Sequence, residues 1–394
     1  MAVALAVSCT PRSASNGASR FDLSRMALAD SVIEKAISDS IIPGAVLAVV
    51  RADGIVYKKA YGNKQLIPEV VPMTTETMFD LASLSKCVGT TLSFMTLIED
   101  GKVKLDDDVD RYIPDFAPYI DPETGKKDWI TIQDILTHSS GLSAYTNVAK
   151  CVERFGENCP DSLMWHIATE IPRNFKPGTR YLYSCLNFVT VQNVLQKITG
   201  EKLCDYAQRR VFDRLGLKHT CYLPLDREIP ADLLPLIAPP ELQADGLPLL
   251  GQVHDPIANK LNWGNSGNAG VFSNVDDLAI IAQALMNGGE YKGRRLMSPG
   301  TVKMMCTVPS DNDPAIGRAL GWDKTSTSMG IQGSIMSQTN TIGHTGYTGT
   351  SMVIDFETNT AVILLTNRVH PYDAGSVYRT RHTVANIVAS SILD

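Results

Sequence analysis

The chain has 394 residues, 44% of them hydrophobic and 20% charged, which suits a globular protein of one large or two interlocked domains. A formal net charge of −6 and a pI near 5.7 supply no basic field, so nucleic acid and anionic lipid are excluded as expected partners. Beyond the first residues no run is long and apolar enough to span a bilayer, and no repeat or low-complexity tract stands out.

In chain order, Met1 to Cys9 followed by the polar run Thr10 to Arg20 resembles the tail of a bacterial lipoprotein signal ending in a lipidated Cys9. The basic n-region is missing and the apolar run Ala2 to Val7 is short for an h-region. Residues 1–22 are expected to be a disordered or signal-like N-terminus. Export to the cell envelope or periplasm is favoured over the cytoplasm, with membrane contact only if Cys9 is lipidated.

Ser24 to Ser40 carries Met26, Leu28, Val32, Ile33, Ala36 and Ile37 at helical spacing, with Pro43-Gly44 as the stop. Ala45 to Val50 and Ile55 to Tyr61 flank Arg51-Ala52-Asp53-Gly54, the pattern of a β-hairpin on an Asp-Gly turn. Pro68 to Thr77 reads as a loop, and Cys87 to Ile98 as a helix ending at Asp100-Gly101. From Lys102 to about Gly264 helix signals dominate: a capping box at Thr131-Ile-Gln-Asp134, then helical spacing over Asn187 to Ile198 and Leu203 to Leu215. Strand character returns at Gly270 to Ser273, a helix is expected over Val275 to Met286, a second hairpin pairs Met352–Asp355 with Ala361–Thr366, and a helix runs from about Ser376 to Leu393.

Strands at both ends with helices between predict an α+β fold, an antiparallel sheet flanked by helices plus a helical lobe. The expected division is an α/β domain from 23–110 and 265–394 and a mainly helical lobe from 111–264, with the site in the cleft between them. The eight cysteines, Cys9, Cys87, Cys151, Cys159, Cys185, Cys204, Cys221 and Cys306, form no C-x-x-C pair or Cys/His cluster, so no structural zinc site is expected. Cys151 and Cys159 could close a short loop as a disulfide in an oxidising compartment.

The stretch Phe79-Asp80-Leu81-Ala82-Ser83-Leu84-Ser85-Lys86 leads into the helix at Cys87. It puts Ser83 in the first turn and Lys86 one turn later on the same face, so a nucleophile and a base would share one edge. Free N–H groups at a helix start stabilise negative charge near the serine oxygen. S-x-x-K alone is a weak signal. Four further motifs stand in order behind it: Asp134-Ile-Leu-Thr-His138-Ser-Ser-Gly141-Leu142, Lys176-Pro-Gly-Thr-Arg-Tyr-Leu-Tyr183-Ser184-Cys185, Phe212-Asp-Arg-Leu215-Gly216-Leu217-Lys-His-Thr220 and Gly343-His344-Thr345-Gly346-Tyr347.

Together these motifs resemble the serine β-lactamase superfamily, in the branch of class C β-lactamases, D-alanyl-D-alanine carboxypeptidases, D-aminopeptidases and β-lactamase-like esterases, from about Ile41 to Thr366. The resemblance implies Ser83 as nucleophile, Lys86 as base and Tyr183 as proton carrier for the leaving group, with the order of Lys86 and Tyr183 in the first proton transfer left open. For Lys86 to act as a base, its ammonium must be destabilised by burial or by neighbouring positive charge. It also implies the backbone N–H groups of Ser83 and Tyr347 as oxyanion donors, and a substrate wall of His344, Thr345 and Gly346 in which Gly346 admits the substrate to the backbone. Cys185 stands where the family most often has Asn, and a thiol cannot donate and accept as that amide does. Efficient β-lactam turnover is therefore not expected unless Asn187 supplies the missing group. His344 in place of Lys removes a permanent cation from the carboxylate-binding wall. His254 and Asp255, in the turn-rich stretch Gly251 to Gly270, could reach the cleft or pin that loop, and pinning is the preferred reading.

These readings point to a metal-free serine hydrolase that works through an acyl-enzyme on a small ester, a D-amino-acid amide or a peptidoglycan-like substrate. No cofactor is implied, because neither a dinucleotide fingerprint nor a Walker pattern appears. The alternatives are a D-alanyl-D-alanine carboxypeptidase or weak class C-like β-lactamase and, from another class, a non-catalytic penicillin-binding or sensor protein. Oligomeric state is left open.

Overall fold

A computed structural model describes residues 20–311, 316–324, 331–373 and 375–393. The signal-like segment with Cys9 lies outside them.

The fold is α+β. Its frame is a six-stranded antiparallel sheet in the order Thr341–Thr345, Ser351–Asp355, Thr360–Thr366, Gly44–Arg51, Gly54–Gln65, Val71–Pro72, so both ends of the chain contribute. The strand Gly44–Arg51 lies inside this order and all eight of its residues are buried. This is why it reads as a continuous apolar run rather than an alternating one. Its side chains alternate between two cores: Ala45, Leu47 and Val49 pack with Ile33 and Val384 from the helices Met26–Ser38 and Tyr378–Ala389, while Val46, Ala48 and Val50 face the larger core. The first hairpin turns through Ala52-Asp53, with Arg51 opposite Gly54.

The larger core runs without a break from the sheet through Leu84, Leu92 and Met95 into Leu186 and Val189 of the helix Cys185–Thr199. The segment 111–264 carries the helices Ile132–Leu136, Val148–Phe155, Pro160–Thr169 and Cys185–Thr199, and a helical run from Leu203 to Leu215 broken by a π turn. Thr131 and Asp134 form the reciprocal capping box that their spacing implied. The segment also contributes strands. Cys221–Tyr222 and Ile237–Ala238 join Val271–Ser273 and Met78–Asp80 in a four-stranded sheet, which supports the nucleophile region from behind.

The expected helix Cys87–Ile98 is present but begins irregularly. A 3-10 turn at Ala82–Leu84 and a π-helical turn at Lys86–Thr91 precede the α-helix Leu92–Glu99. Such π turns are frequent at functional sites. Gly89 sits inside this one, where a Cβ would meet the Tyr222 hydroxyl at 2.6 Å and the Val271 side chain at 2.8 Å. Cys151 and Cys159 are both free rather than joined, as are the other cysteines among the described residues. No helix of the described residues is long and apolar enough to cross a membrane.

Candidate active site

Ser83 is delivered by a strand that stops abruptly. Asp80 closes the strand Met78–Asp80, and its buried carboxylate accepts from the Ala82 N–H (2.8 Å) and the His254 N–H (2.7 Å). Ala82 is driven to a φ of +46°, a costly conformation for a residue with a Cβ. The turn brings Ser83 to the edge of a cavity of about 400 Å³.

Lys86 is fully buried one turn on, and its Nζ donates to Ser83 Oγ (2.9 Å) and to the Asn268 carbonyl (2.8 Å). The ammonium also lies 5.1 Å from the Tyr183 ring centroid and 6.0 Å from that of Phe188. Burial works against its charge, the Asp255 carboxylate favours it, and Cys185 and Tyr183 favour it only when they ionise; on balance its pKa is raised. Burial alone therefore does not turn Lys86 into a free base. It rests as an ammonium.

Tyr183 precedes the helix Cys185–Thr199 and is held from both sides by His138. The His138 carbonyl accepts from the Leu182 N–H (3.0 Å), and its Nδ1 accepts from the Ser184 N–H (3.1 Å). The two rings pack 4.5 Å apart. The Tyr183 hydroxyl is buried without a hydrogen-bond partner, close enough to Lys86 and Ser83 for both to act on its ionisation. Burial raises its pKa and the Lys86 charge opposes the rise, leaving a protonated phenol.

The strand Thr341–Thr345 places His344 5.9 Å from the Tyr183 ring, fully buried. His344 Nδ1 lies 2.8 Å from the Thr345 carbonyl, which can only accept, so Nδ1 carries the proton. Nε2 is then an acceptor, and it has no partner. Burial, with the charges of Arg318 and Lys86, pushes the pKa of His344 well below its usual value. A neutral imidazole with this tautomer presents a lone pair, not a proton, at Nε2. Burial and the same two cations hold His138 neutral as well.

The backbone N–H groups of Ser83 and Tyr347 have no acceptor among the described residues. The turn carrying Tyr347 is stapled to the nucleophile segment: Thr348 Oγ1 donates to the Asp80 carbonyl (2.7 Å) and Thr350 Oγ1 to the Leu81 carbonyl (3.0 Å). That closeness by itself requires Gly346. A Cβ there would meet the Leu81 carbonyl oxygen at 2.2 Å.

Ser83, Tyr145, Tyr183, Cys185, Asp255 and Tyr347 line the cavity, with His254, Glu241 and Asp373 on the same wall. His254 does pin its loop, through Asp80 and a 3.0 Å contact with Glu241, but with Asp255 it also faces the cleft. Burial raises the Cys185 pKa, so it stays a thiol. Asn187 is not brought to the cavity. Two residues along a helix is more than half a turn, and its amide is engaged with Ser140 Oγ (2.6 Å) and His138 Nδ1 (3.3 Å) on the far side. Thr345 borders a second, polar cavity with Arg368 and Arg381. No group of three His, Cys, Asp or Glu side chains able to hold a metal ion occurs among the described residues.

Two residues at the site escaped the sequence reading. Asn268 supplies the carbonyl that holds Lys86 from 182 positions away, a pairing without local signal. Arg318 is a fully buried cation, 3.8 Å from Asp323, and no local pattern marks its place beside the two histidines.

A beta-lactamase family model matches residues 29–385. An N-acetylmuramyl-L-alanine amidase of Bacillus subtilis (strain 168) is 33% identical over 369 residues, 89% of this chain and 82% of that one. A protein provisionally named D-alanyl-D-alanine carboxypeptidase, from Escherichia coli (strain K12), is 32% identical over 373 residues, 89% of this chain and 84% of that one. Among solved structures, EstCE1, described as a hydrolase with promiscuous acyltransferase activity, superposes with a TM-score of 0.72 at 22% identity, over 93% of this chain and 98% of that one. That last likeness bears on the fold alone.

Proposed function

The chain belongs to the beta-lactamase family and is a serine hydrolase, and from that premise we propose that Ser83 forms an acyl-enzyme with a small ester or D-amino-acid amide. The observation that carries this reading is the Lys86 ammonium 2.9 Å from Ser83 Oγ, beside the buried, unpartnered hydroxyl of Tyr183.

Both members of the Lys86–Tyr183 pair rest protonated, so the reactive form has one proton fewer. With Lys86 held as the cation, the vacancy falls on Tyr183, whose phenolate the adjacent ammonium stabilises. Ser83 Oγ then gives its proton to Tyr183 as its bond to the substrate carbonyl carbon forms. The N–H groups of Ser83 and Tyr347 receive the developing oxyanion, and Tyr183 returns the proton to the leaving oxygen or nitrogen as that bond breaks. Water repeats the sequence against the acyl-enzyme.

The amide half of the substrate reading is favoured by the amidase and carboxypeptidase names of the two relatives. Hydrolysis of p-nitrophenyl acetate, D-alanine p-nitroanilide and a chromogenic cephalosporin, each with the parent protein and Ser83→Ala, tests the proposal. Ester or anilide turnover abolished by the substitution supports it. Cephalosporin turnover at a comparable rate would overturn the argument from Cys185 and His344, and activity surviving in Ser83→Ala would overturn the mechanism.

A further inference from the structure

Lys86 and Asp255 are joined through a single residue. The Lys86 ammonium donates to the Asn268 carbonyl (2.8 Å) and the Asn268 side-chain Nδ2 donates to Asp255 Oδ1 (2.9 Å), so a fully buried asparagine stands between the cation and the carboxylate. Asn268 has no freedom to turn away. Its Oδ1 accepts from Ser266 Oγ (2.6 Å), and the loop on either side is stapled to the nucleophile segment, with Thr90 Oγ1 donating to the Gly267 carbonyl (2.7 Å) and the Val271 N–H to Ser85 Oγ (3.0 Å). Asp255 is fixed as well: its Oδ1 also accepts from the Ala258 N–H (2.9 Å), and the Tyr145 side chain is hydrogen-bonded to the carboxylate.

Holding this loop needs an acceptor, not a charge, and the oxygen of an asparagine would serve Ala258 and Asn268 equally. The charge has another object, because it favours the Lys86 ammonium against its burial. The other groups around that ammonium do not do so at rest. Burial keeps the Tyr183 phenol and the Cys185 and Cys87 thiols protonated, and the His138 and His344 imidazoles, with Arg318 behind them, are neutral. On its far side Asp255 faces the Asp80 carboxylate, which is bonded to the Ala82 and His254 N–H groups.

We propose that Asp255 is a positioning residue that acts on Lys86 through Asn268: it holds the ammonium on Ser83, and its charge retains the proton that the Lys86–Tyr183 pair must lose before acyl transfer. The inference rests on the Ser83 reading for the rate but not for the ionisation. A negative charge removed from beside the pair makes that proton easier to lose, whichever of Lys86 and Tyr183 gives it up. Asp255→Asn keeps an oxygen for Ala258 and Asn268 and removes the charge. Its kcat/KM for p-nitrophenyl acetate is expected to reach a plateau about one pH unit lower than in the parent, so that on the rising limb the variant is about tenfold faster. Asp276→Asn, the same charge change at the surface pair with Lys58, leaves the limb in place. A fall in kcat/KM with the limb unmoved is what loop support alone would give, and it would overturn the proposal, as would a limb displaced upward. The ionisation is read without turnover in Ser83→Ala protein. There the tyrosinate absorbance assigned to Tyr183, by difference from Ser83→Ala/Tyr183→Phe, is expected to titrate about one unit lower when Asp255→Asn is added. An unmoved midpoint overturns the proposal whatever the ester rates, whereas a lowered midpoint in a protein without Ser83-dependent turnover supports it and overturns the Ser83 reading alone.

Discussion

Substituting Gly346 by Ala tests whether the oxyanion wall is held against the nucleophile by backbone contact. The added Cβ would lie 2.2 Å from the Leu81 carbonyl oxygen and 2.2 Å from Thr350 Oγ1, whereas ordinary contact begins at 3.4 Å, a shortfall of 3.4 − 2.2 = 1.2 Å. Thr350 can rotate its hydroxyl away, but Leu81 cannot yield. Its N–H is bonded to the Val271 carbonyl (2.9 Å), and its own carbonyl accepts from Leu84 N (3.0 Å) and Thr350 Oγ1 (3.0 Å). The strand end must therefore retreat, carrying the Tyr347 N–H about 1 Å from its place opposite Ser83, and misplacement on that scale costs roughly a hundredfold in rate. The expected result with p-nitrophenyl acetate is a fall of about a hundredfold in kcat with KM changed by less than about threefold. Gly54→Ala is the control, since a Cβ there meets nothing within 4 Å. A Gly346→Ala protein that keeps kcat within about threefold of the parent would refute the claim that this wall is fixed by the Leu81 contact.

Two further outcomes follow from the buried groups. His138 and His344 are held neutral with pKa values well below normal, while in the unfolded chain they take up protons below about pH 6.5, so their contribution is intact above that pH and lost as pH falls. Between pH 7 and pH 5 this amounts to about 2 kcal/mol per histidine, read as a drop in urea midpoint. A midpoint that stays flat over that interval would contradict the neutral state of both, and half the drop would contradict that of one. Cys185→Asn puts an amide beside Lys86 and the cavity in place of a thiol, and the cephalosporin-to-ester turnover ratio is expected to rise roughly three- to tenfold, the worth of one neutral hydrogen bond. An unchanged or lower ratio would remove Cys185 from the argument that efficient lactam turnover is not expected.

The readable parts of this molecule are those in which neighbours in sequence are neighbours in space. The Thr131–Asp134 capping box, the hairpin at Arg51–Gly54 and the one-turn spacing of Ser83 and Lys86 are local, and the structure has them, although the hairpin turns through Ala52-Asp53 rather than on the Asp53-Gly54 pair. The irregular start of the Ser83 helix was not readable, because Gly89 yields there to Tyr222 and Val271, which arrive from more than 130 positions away. The direction of Asn187 is set by helix geometry: an amide two residues along a helix from Cys185 faces another way, towards Ser140 and His138. His138 could be placed in a motif, but only its contacts on either side of Tyr183 reveal that it positions that residue. The charge state of His344 likewise depends on Arg318 and on burial, neither of which is visible in Gly343-His344-Thr345-Gly346.

The central claim is that Ser83 carries the acyl group. Intact-mass spectrometry of the protein quenched in acid within seconds of mixing with p-nitrophenyl acetate, followed by peptide mapping, tests it most directly. The account predicts a single acetyl adduct of about 42 Da on the peptide containing Ser83, decaying with the rate of turnover and absent from Ser83→Ala. An adduct on Cys185 or Tyr183 instead, or turnover in Ser83→Ala at the parent rate, would contradict it.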